Sequence, residues 1–279
     1  MRKWLFVIFL LISGDILCQN TIKIWANVQD GRKFRNSELI VFQPETKNTS
    51  GISVIIAPGG SYYWLDMNNE GYKVAKQLNK EGITAFVLKY RTARRGYHHP
   101  AMIQDMQRTL QLVKERAEEF GIAADKVGVM GFSAGGHLAG TTGTYFDENF
   151  MKPLGIEPKI SLKPYFVAMI YPVVSMQDST AHRKSRRNLL TRNFTAEEQN
   201  KMSLEQNVRT DMPPVFLLHC IDDKTVDYHN SVNYDKTLSE RNIPHRFLLF
   251  EKGGHGFGIQ PRNDVKDWLN EFIIWLKTI

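Results

Sequence analysis

The stretch KVGVMGFSAGGHLAG, Lys126 to Gly140, decides how the chain is read. An apolar segment (Val127, Val129, Met130) leads through Gly131-Phe132-Ser133-Ala134-Gly135 into small residues that open a helix. A serine on a sharp strand-to-helix turn sits in a strained backbone region, so its close neighbours on either side have to be glycine. The turn lifts the hydroxyl clear of the strand, and the first N–H groups of the helix point at the same spot. Ser133 is therefore read as a nucleophile, and the N–H of Ala134 as one donor to a developing oxyanion. A lone G-x-S-x-G is weak, because glycine and serine are common. The strand before it and the helix after it give it meaning.

The rest of the chain repeats that alternation. GISVIIAPGG, ITAFVLKY, YFVAMIYPVVS, PPVFLLHC and HRFLLFEKGG read as strands. Between them, EGYKVAKQLNKEG, HPAMIQDMQRTLQLVKERAEEFG, HNSVNYDKTLSERN and DVKDWLNEFIIWLKTI read as helices. Continuous apolar strands separated by helices imply an α/β fold with a mostly parallel sheet covered on both faces. IKIWANV and SELIVFQPE are expected to open it as an antiparallel pair turning at Asp30-Gly31. No linker rich in Gly, Pro or Ser divides residues 19–279, so one domain is expected. The exception to the alternation is Gln177 to Pro213, charged and weakly periodic, expected to be a partly helical cap over a functional face.

With 279 residues, 42% of them hydrophobic and 23% charged, the chain can bury a sizeable core. Its formal net charge of +7 is dispersed apart from HRKSRR, His182 to Arg187. That gives a nucleic-acid partner little support; a mildly basic surface facing acidic polymers or an anionic envelope is the plainer account. The first eighteen residues, MRKWLFVIFLLISGDILC, place Arg2 and Lys3 before an apolar run too short to span a bilayer. They read as a secretory signal cleaved after Cys18 or Gln19, which implies a secreted or periplasmic protein with no stable membrane span. Asp15-Ile16-Leu17 lacks the small residues of a lipoprotein signal. Cys220 is then the only cysteine, with no intrachain disulfide, and its apolar setting suits a buried thiol.

A nucleophilic serine needs a base, and the base needs an orienting carboxylate. Of eight histidines, His255 lies in the glycine-rich loop EKGGHGFG after the last strand, where it can reach over the strand ends. His219 falls inside an apolar strand, His98 and His99 precede a helix, and His137 sits on the helix behind the nucleophile, where packing suits it better. The acid is sought after the penultimate strand, where LLHCIDDKTVDYHNS offers Asp222, Asp223 and Asp227. Asp223 is the first choice and Asp222 the alternative one step away in register. The order Ser, Asp, His is that of the α/β-hydrolases. A second set of oxyanion donors is expected from PGGSYYWLD, at the N–H groups of Gly60 and Ser61. No histidine or cysteine cluster has metal-ligand spacing, and no organic cofactor is called for.

Seven linked motifs now stand in order: APGGSY, NNEGYKVAKQL, FVLKYR, HPAMIQDMQRTLQLVK, VGVMGFSAGGHLAG, PPVFLLHCIDD and FEKGGHGFG. Across nearly the whole mature chain they resemble the secreted α/β-hydrolase esterases related to acetylxylan esterases. This BD-FAE-like group overlaps the lipase-like and prolyl-oligopeptidase-like hydrolases. The resemblance implies Ser133, Asp223 and His255 as the triad. It favours Asp223 over Asp222, because His219 and Val226 stand at the family's spacing from it. Arg91 and Asp105 match positions that look like an internal ion pair. PGGSY departs from relatives with a third glycine, though Ser61 keeps its N–H. The implied activity is hydrolysis of acetyl or other short acyl esters, on plant polysaccharide such as xylan, and the aromatics of SYYWLD either stack on sugars or pack in the core. The alternatives are a general short-chain esterase, a prolyl-oligopeptidase-like peptidase, whose usual large extra domain 279 residues do not accommodate, and a catalytically silent binding protein.

Overall fold

The computed structural model describes residues 20–26, 28, 34 and 37–279. The expected signal segment and the Asp30-Gly31 turn lie outside them. Eight strands form one sheet: β1 Thr21–Lys23, β2 Glu38–Phe42, β3 Ser53–Ala57, β4 Thr84–Lys89, β5 Val127–Phe132, β6 Val167–Ile170, β7 Val215–Cys220 and β8 His245–Phe250. Their spatial order is β1-β2-β4-β3-β5-β6-β7-β8. β1 and β2 pair antiparallel, as does β2 with β4, and every later pairing is parallel.

The pleat sends alternate side chains of each inner strand to opposite faces. Ile55, Phe86, Val129, Met169 and Leu217 join one core, beneath α2 Ala101–Glu115, α3 Ala134–Thr144 and α6 His229–Glu240. Ile56, Val87, Met130, Ala168 and Phe216 join the other, beneath α1 Lys73–Lys80 and α7 Trp268–Leu276. Both faces of these strands are buried, which explains why they read as unbroken apolar runs rather than alternating ones. The chain leaves β3 toward β4 on one side, whereas β5 leads to β6 on the other. Such a switch point opens a crevice at the carboxyl ends of two neighbouring parallel strands.

Three elements are shorter than the sequence pattern suggests. β1 stops at Lys23 because Trp25 turns inward, its Nε1–H donating to Asp105 Oδ1 at 2.7 Å. α2 ends at Glu115 and the chain continues in turns to Gly121, where φ reaches +63°. β6 stops at Ile170 because Tyr171 takes a φ of +39°, so the apolar run through Val174 bends away from the sheet. Behind the sheet, Arg91 Nε donates to Asp105 Oδ1 at 2.9 Å with both side chains buried. The second carboxylate oxygen accepts from the Arg91 N–H at 2.7 Å and the Ser37 hydroxyl at 2.9 Å. This is the internal ion pair that the resemblance implied.

Residues 177–213 carry two helices, α4 Arg183–Leu190 and α5 Ala196–Lys201. α5 begins with a capping box between Thr195 and Glu198. The segment is fastened to the body: Ser203 Oγ accepts from the Met176 N–H, and the Leu204 N–H donates to the Val174 carbonyl.

Candidate active site

Ser133 follows β5 directly and takes φ +54° and ψ −118°, a conformation that costs free energy for any residue with a Cβ. The turn is held from both sides. The Ser133 N–H donates to the Ile170 carbonyl at 3.0 Å, and its own carbonyl accepts from the N–H groups of Val173 and His137. A Cβ on Gly131 would lie 1.9 Å from the Gly135 carbonyl oxygen, so only glycine lets the strand enter α3 so tightly.

The Ser133 hydroxyl lies 2.9 Å from His255 Nε2, and His255 Nδ1 lies 2.6 Å from Asp223 Oδ2. An ionised carboxylate can only accept, so the proton sits on Nδ1 and the lone pair of Nε2 receives the serine hydroxyl. Burial alone would raise the Asp223 carboxyl. Hydrogen bonds from His219, His255 and the Val226 N–H outweigh it and hold the group well below the usual carboxylate range. His219, the buried histidine of β7, lies 3.2 Å from Asp223 Oδ2 and bonds Ser231 Oγ on its other side. Asp222 points elsewhere: its Oδ1 accepts from the N–H groups of Gly253 and Gly254 and shapes the loop that carries His255. Asp227 pairs with His229 at 2.8 Å. Cys220 is buried, and burial with the nearby aspartates pushes its thiol up to about 12.

The loop after β3 meets Ser133 from the other side. A Cβ on Gly59 would lie 2.9 Å from Ser133 Cβ, so this backbone packs directly against Ser133. Among the described residues, the N–H groups of Gly60 and Ser61 enter no backbone hydrogen bond, whereas the Gly59 N–H is taken by Glu70. Ala134 begins α3, where the first N–H groups of a helix have no partner within it. Gly60 and Ser61, next along the loop from Gly59, and Ala134, next after Ser133, thus keep amides that no other backbone group takes. Within SYYWLD, Tyr62 is buried and bonds His137, while Tyr63 and Trp64 are exposed.

His137 is a fastener. It is fully buried between the Tyr62 hydroxyl, 2.8 Å from Nδ1, and the Met202 carbonyl, 2.8 Å from Nε2. Burial pushes it down to about 4, so it stays neutral. His98 and His99 sit at the start of α2, the former bonding the Asn188 carbonyl.

Four residues near the site were given no role from the sequence. Glu70 is buried; its Oε2 accepts from the Gly59 N–H at 2.7 Å and its Oε1 from the Tyr171 hydroxyl at 2.8 Å. Burial pushes its carboxyl up to about 6, against the lowering pull of those hydrogen bonds and of His255. The Tyr171 oxygen also accepts from the Gly258 N–H at 3.0 Å, and the Tyr171 and His255 ring centroids are 4.7 Å apart. In the cap, Asn188 Nδ2 donates to the Ser61 carbonyl at 2.8 Å. His182, which bonds Ser185 Oγ, is lowered first by burial and then by the charge of His255. Glu70 alone left a trace in the sequence, since it shares a helical stripe with Val74 and Leu78, where an acid is out of place. Among the described residues, no group of three or more His, Cys, Asp or Glu side chains is arranged to hold a metal ion.

The family model described as BD-FAE matches residues 39–238. An acetylxylan esterase of Xylanibacter ruminicola is 29% identical over 283 residues, covering 100% of this chain and 55% of that protein. Endo-1,4-beta-xylanase B of Butyrivibrio fibrisolvens is 32% identical over 218 residues, covering 77% of this chain and 34% of its own length. The chain thus spans about half or less of the length of these curated relatives. Among solved structures, an acetyl ester-xyloside bifunctional hydrolase from Caldicellulosiruptor lactoaceticus superposes with a TM-score of 0.83 at 31% identity, covering 95% of this chain and 98% of that one. With the same doubly covered, mostly parallel sheet and the family model spanning most of its length, the chain has the α/β-hydrolase fold and belongs to the BD-FAE family.

Proposed function

We propose that the protein is a serine carboxylesterase that removes acetyl or other short acyl groups from xylan-type plant polysaccharide. The observation that carries this reading is the hydrogen-bonded chain from Ser133 Oγ through His255 to Asp223. In the first step His255 Nε2 takes the Ser133 proton as Oγ attacks the ester carbonyl. The carbonyl oxygen becomes an oxyanion held by the N–H groups of Gly60, Ser61 and Ala134. Collapse breaks the C–O bond to the sugar, and His255 gives its proton to the departing alkoxide oxygen. Water then enters, loses a proton to His255 and attacks the acyl-enzyme, and the acid leaves as Ser133 regains its proton. Asp223 keeps the imidazole in the required tautomer and stabilises its protonated form.

The acetylxylan esterase and xylanase relatives and the acetyl ester-xyloside hydrolase neighbour support the acyl group and the polymer. Export through a cleaved segment at residues 1–18 would place the enzyme where such polymers occur. Acetate release from acetylated xylan tests the reading. The wild type is expected to release it and Ser133→Ala to lose at least about 10³-fold in kcat. A folded protein whose Ser133 is not labelled by a fluorophosphonate would sink the esterase reading. Turnover confined to peptides would sink the substrate.

A further inference from the structure

The loop that supplies Gly60 and Ser61 is gripped by two cationic segments. Asn188 of α4 donates to the Ser61 carbonyl at 2.8 Å, and the Ala93 N–H donates to the Tyr62 carbonyl at 2.8 Å. The tip of the loop turns two aromatics to solvent, Tyr63 at 43% and Trp64 at 49% exposure. The turn Ala93–Arg95 exposes Arg94 and Arg95, and the outer face of α4 exposes Arg183, Lys184 and Arg187. Among the described residues none of these five cations has an ion-pair partner, whereas Arg186 beside them bonds Asp178 at 2.7 Å. His182 immediately precedes α4, and Asn188 near its other end holds the oxyanion loop. α4 is therefore bonded directly to the loop that carries the oxyanion donors.

Single exposed aromatics and single exposed cations need no explanation. Two adjacent aromatics and five cations without acid partners, all on segments bonded to one catalytic loop, form a patch of defined chemistry. Like charges gathered this way repel one another unless an anion joins them. Asp178, the acid just before α4, pairs with Arg186 rather than with any of the five. An aromatic face suits the apolar face of a sugar ring, and guanidinium groups suit carboxylates.

We propose that Tyr63, Trp64, Arg94, Arg95, Arg183, Lys184 and Arg187 form a binding surface for acylated polysaccharides that carry uronate carboxylates. Sugar rings lie on the two aromatics, the carboxylates meet the cations, and an ester on the same chain is delivered to Ser133. The last step rests on the esterase reading; the binding does not.

Affinity electrophoresis of the full chain tests the binding without turnover, in gels holding de-esterified glucuronoxylan, neutral arabinoxylan or single-stranded DNA. The acidic xylan is expected to retard the protein most. Replacing Arg183, Lys184 and Arg187 together by alanine is expected to weaken that binding about tenfold, roughly twofold for each charge. Trp64→Ala is expected to weaken binding to both xylans severalfold. Equal retention by acidic and neutral xylan, or no loss in the triple variant, would overturn the proposal. So would unchanged binding in Trp64→Ala, which would leave bare charge attraction, or stronger retention on DNA. A wild type that binds acidic xylan yet leaves 4-nitrophenyl acetate intact would refute the esterase reading alone.

Discussion

Tyr171 donates to Glu70 across 2.8 Å, and through that bond the end of β6 is tied to the oxyanion loop. The same tyrosine packs on the His255 ring and accepts from the Gly258 N–H, so one phenol touches both the base and the loop that carries it. Tyr171→Phe keeps the ring and removes both bonds. Its kcat is expected to fall about tenfold with a smaller change in KM, because a loosened base loop misplaces Nε2 rather than the substrate. Steady-state kinetics on a soluble acetyl ester decides this, and an unchanged kcat would reduce Tyr171 to packing.

Glu70 leaves a mark on stability as well. Its carboxyl rises from 4.5 to about 6 on folding, so the folded state holds this proton more tightly than the unfolded one. Its contribution therefore falls as pH rises from about 4.5 to 6 and stays low above. Glu70→Gln removes the titration. Its unfolding free energy relative to wild type is expected to rise by about 2 kcal/mol between pH 4 and pH 8. Denaturant melts at the two pH values measure the difference.

Asp222 and Asp223 are neighbours with separate tasks. Asp223→Asn leaves an amide where Nδ1–H needs an acceptor, so kcat is expected to fall about 10⁴-fold. Asp222→Asn keeps an oxygen for the Gly253 and Gly254 amides, and kcat is expected to stay within about threefold. Equal losses in the two variants would contradict the geometry.

His137 joins α3 to the oxyanion loop and to the cap. Its folded value is lowered from 6.5 to about 4, so its stabilisation is complete above pH 6.5 and is lost as pH falls toward 4. His137→Ala is expected to cost about 2–4 kcal/mol at pH 8, from the cavity and the unpaired Tyr62 hydroxyl. That gap is expected to shrink by up to about 3 kcal/mol at pH 4. A gap independent of pH would mean the imidazole is not held neutral.

Asp105→Ala isolates the buried ion pair. It strands the Arg91 guanidinium without its carboxylate and is expected to destabilise the fold by about 3–5 kcal/mol, with KM unchanged in protein that remains folded.

The parts of the site that the sequence displays are those with local causes. The turn at Ser133 demands glycine at Gly131, and strand ends face one edge of a parallel sheet, so loops after β3, β5, β7 and β8 had to meet. The choice of Asp223 needed the spacing of His219 and Val226, because periodicity does not separate two adjacent aspartates. Glu70, Tyr171 and Asn188 have no such local cause. Their partners lie 101 residues away for the Glu70–Tyr171 bond and 127 for Asn188–Ser61, and only the packed chain brings them together. The early end of β6 has the same origin. Its apolar run continues, but the backbone is recruited to hold Ser133 through Ile170 and Val173.

α4 separates the residues that seat it from those that meet solvent. Ser185, Arg186, Asn188, Leu189 and Leu190 face inward and fix its position, while Arg183, Lys184 and Arg187 face out. The outward set can be exchanged one residue at a time with the inner contacts intact. The helix is thus a cassette: its outer charges can be rewritten while the contacts that seat it, the Asn188 bond to Ser61 among them, are kept.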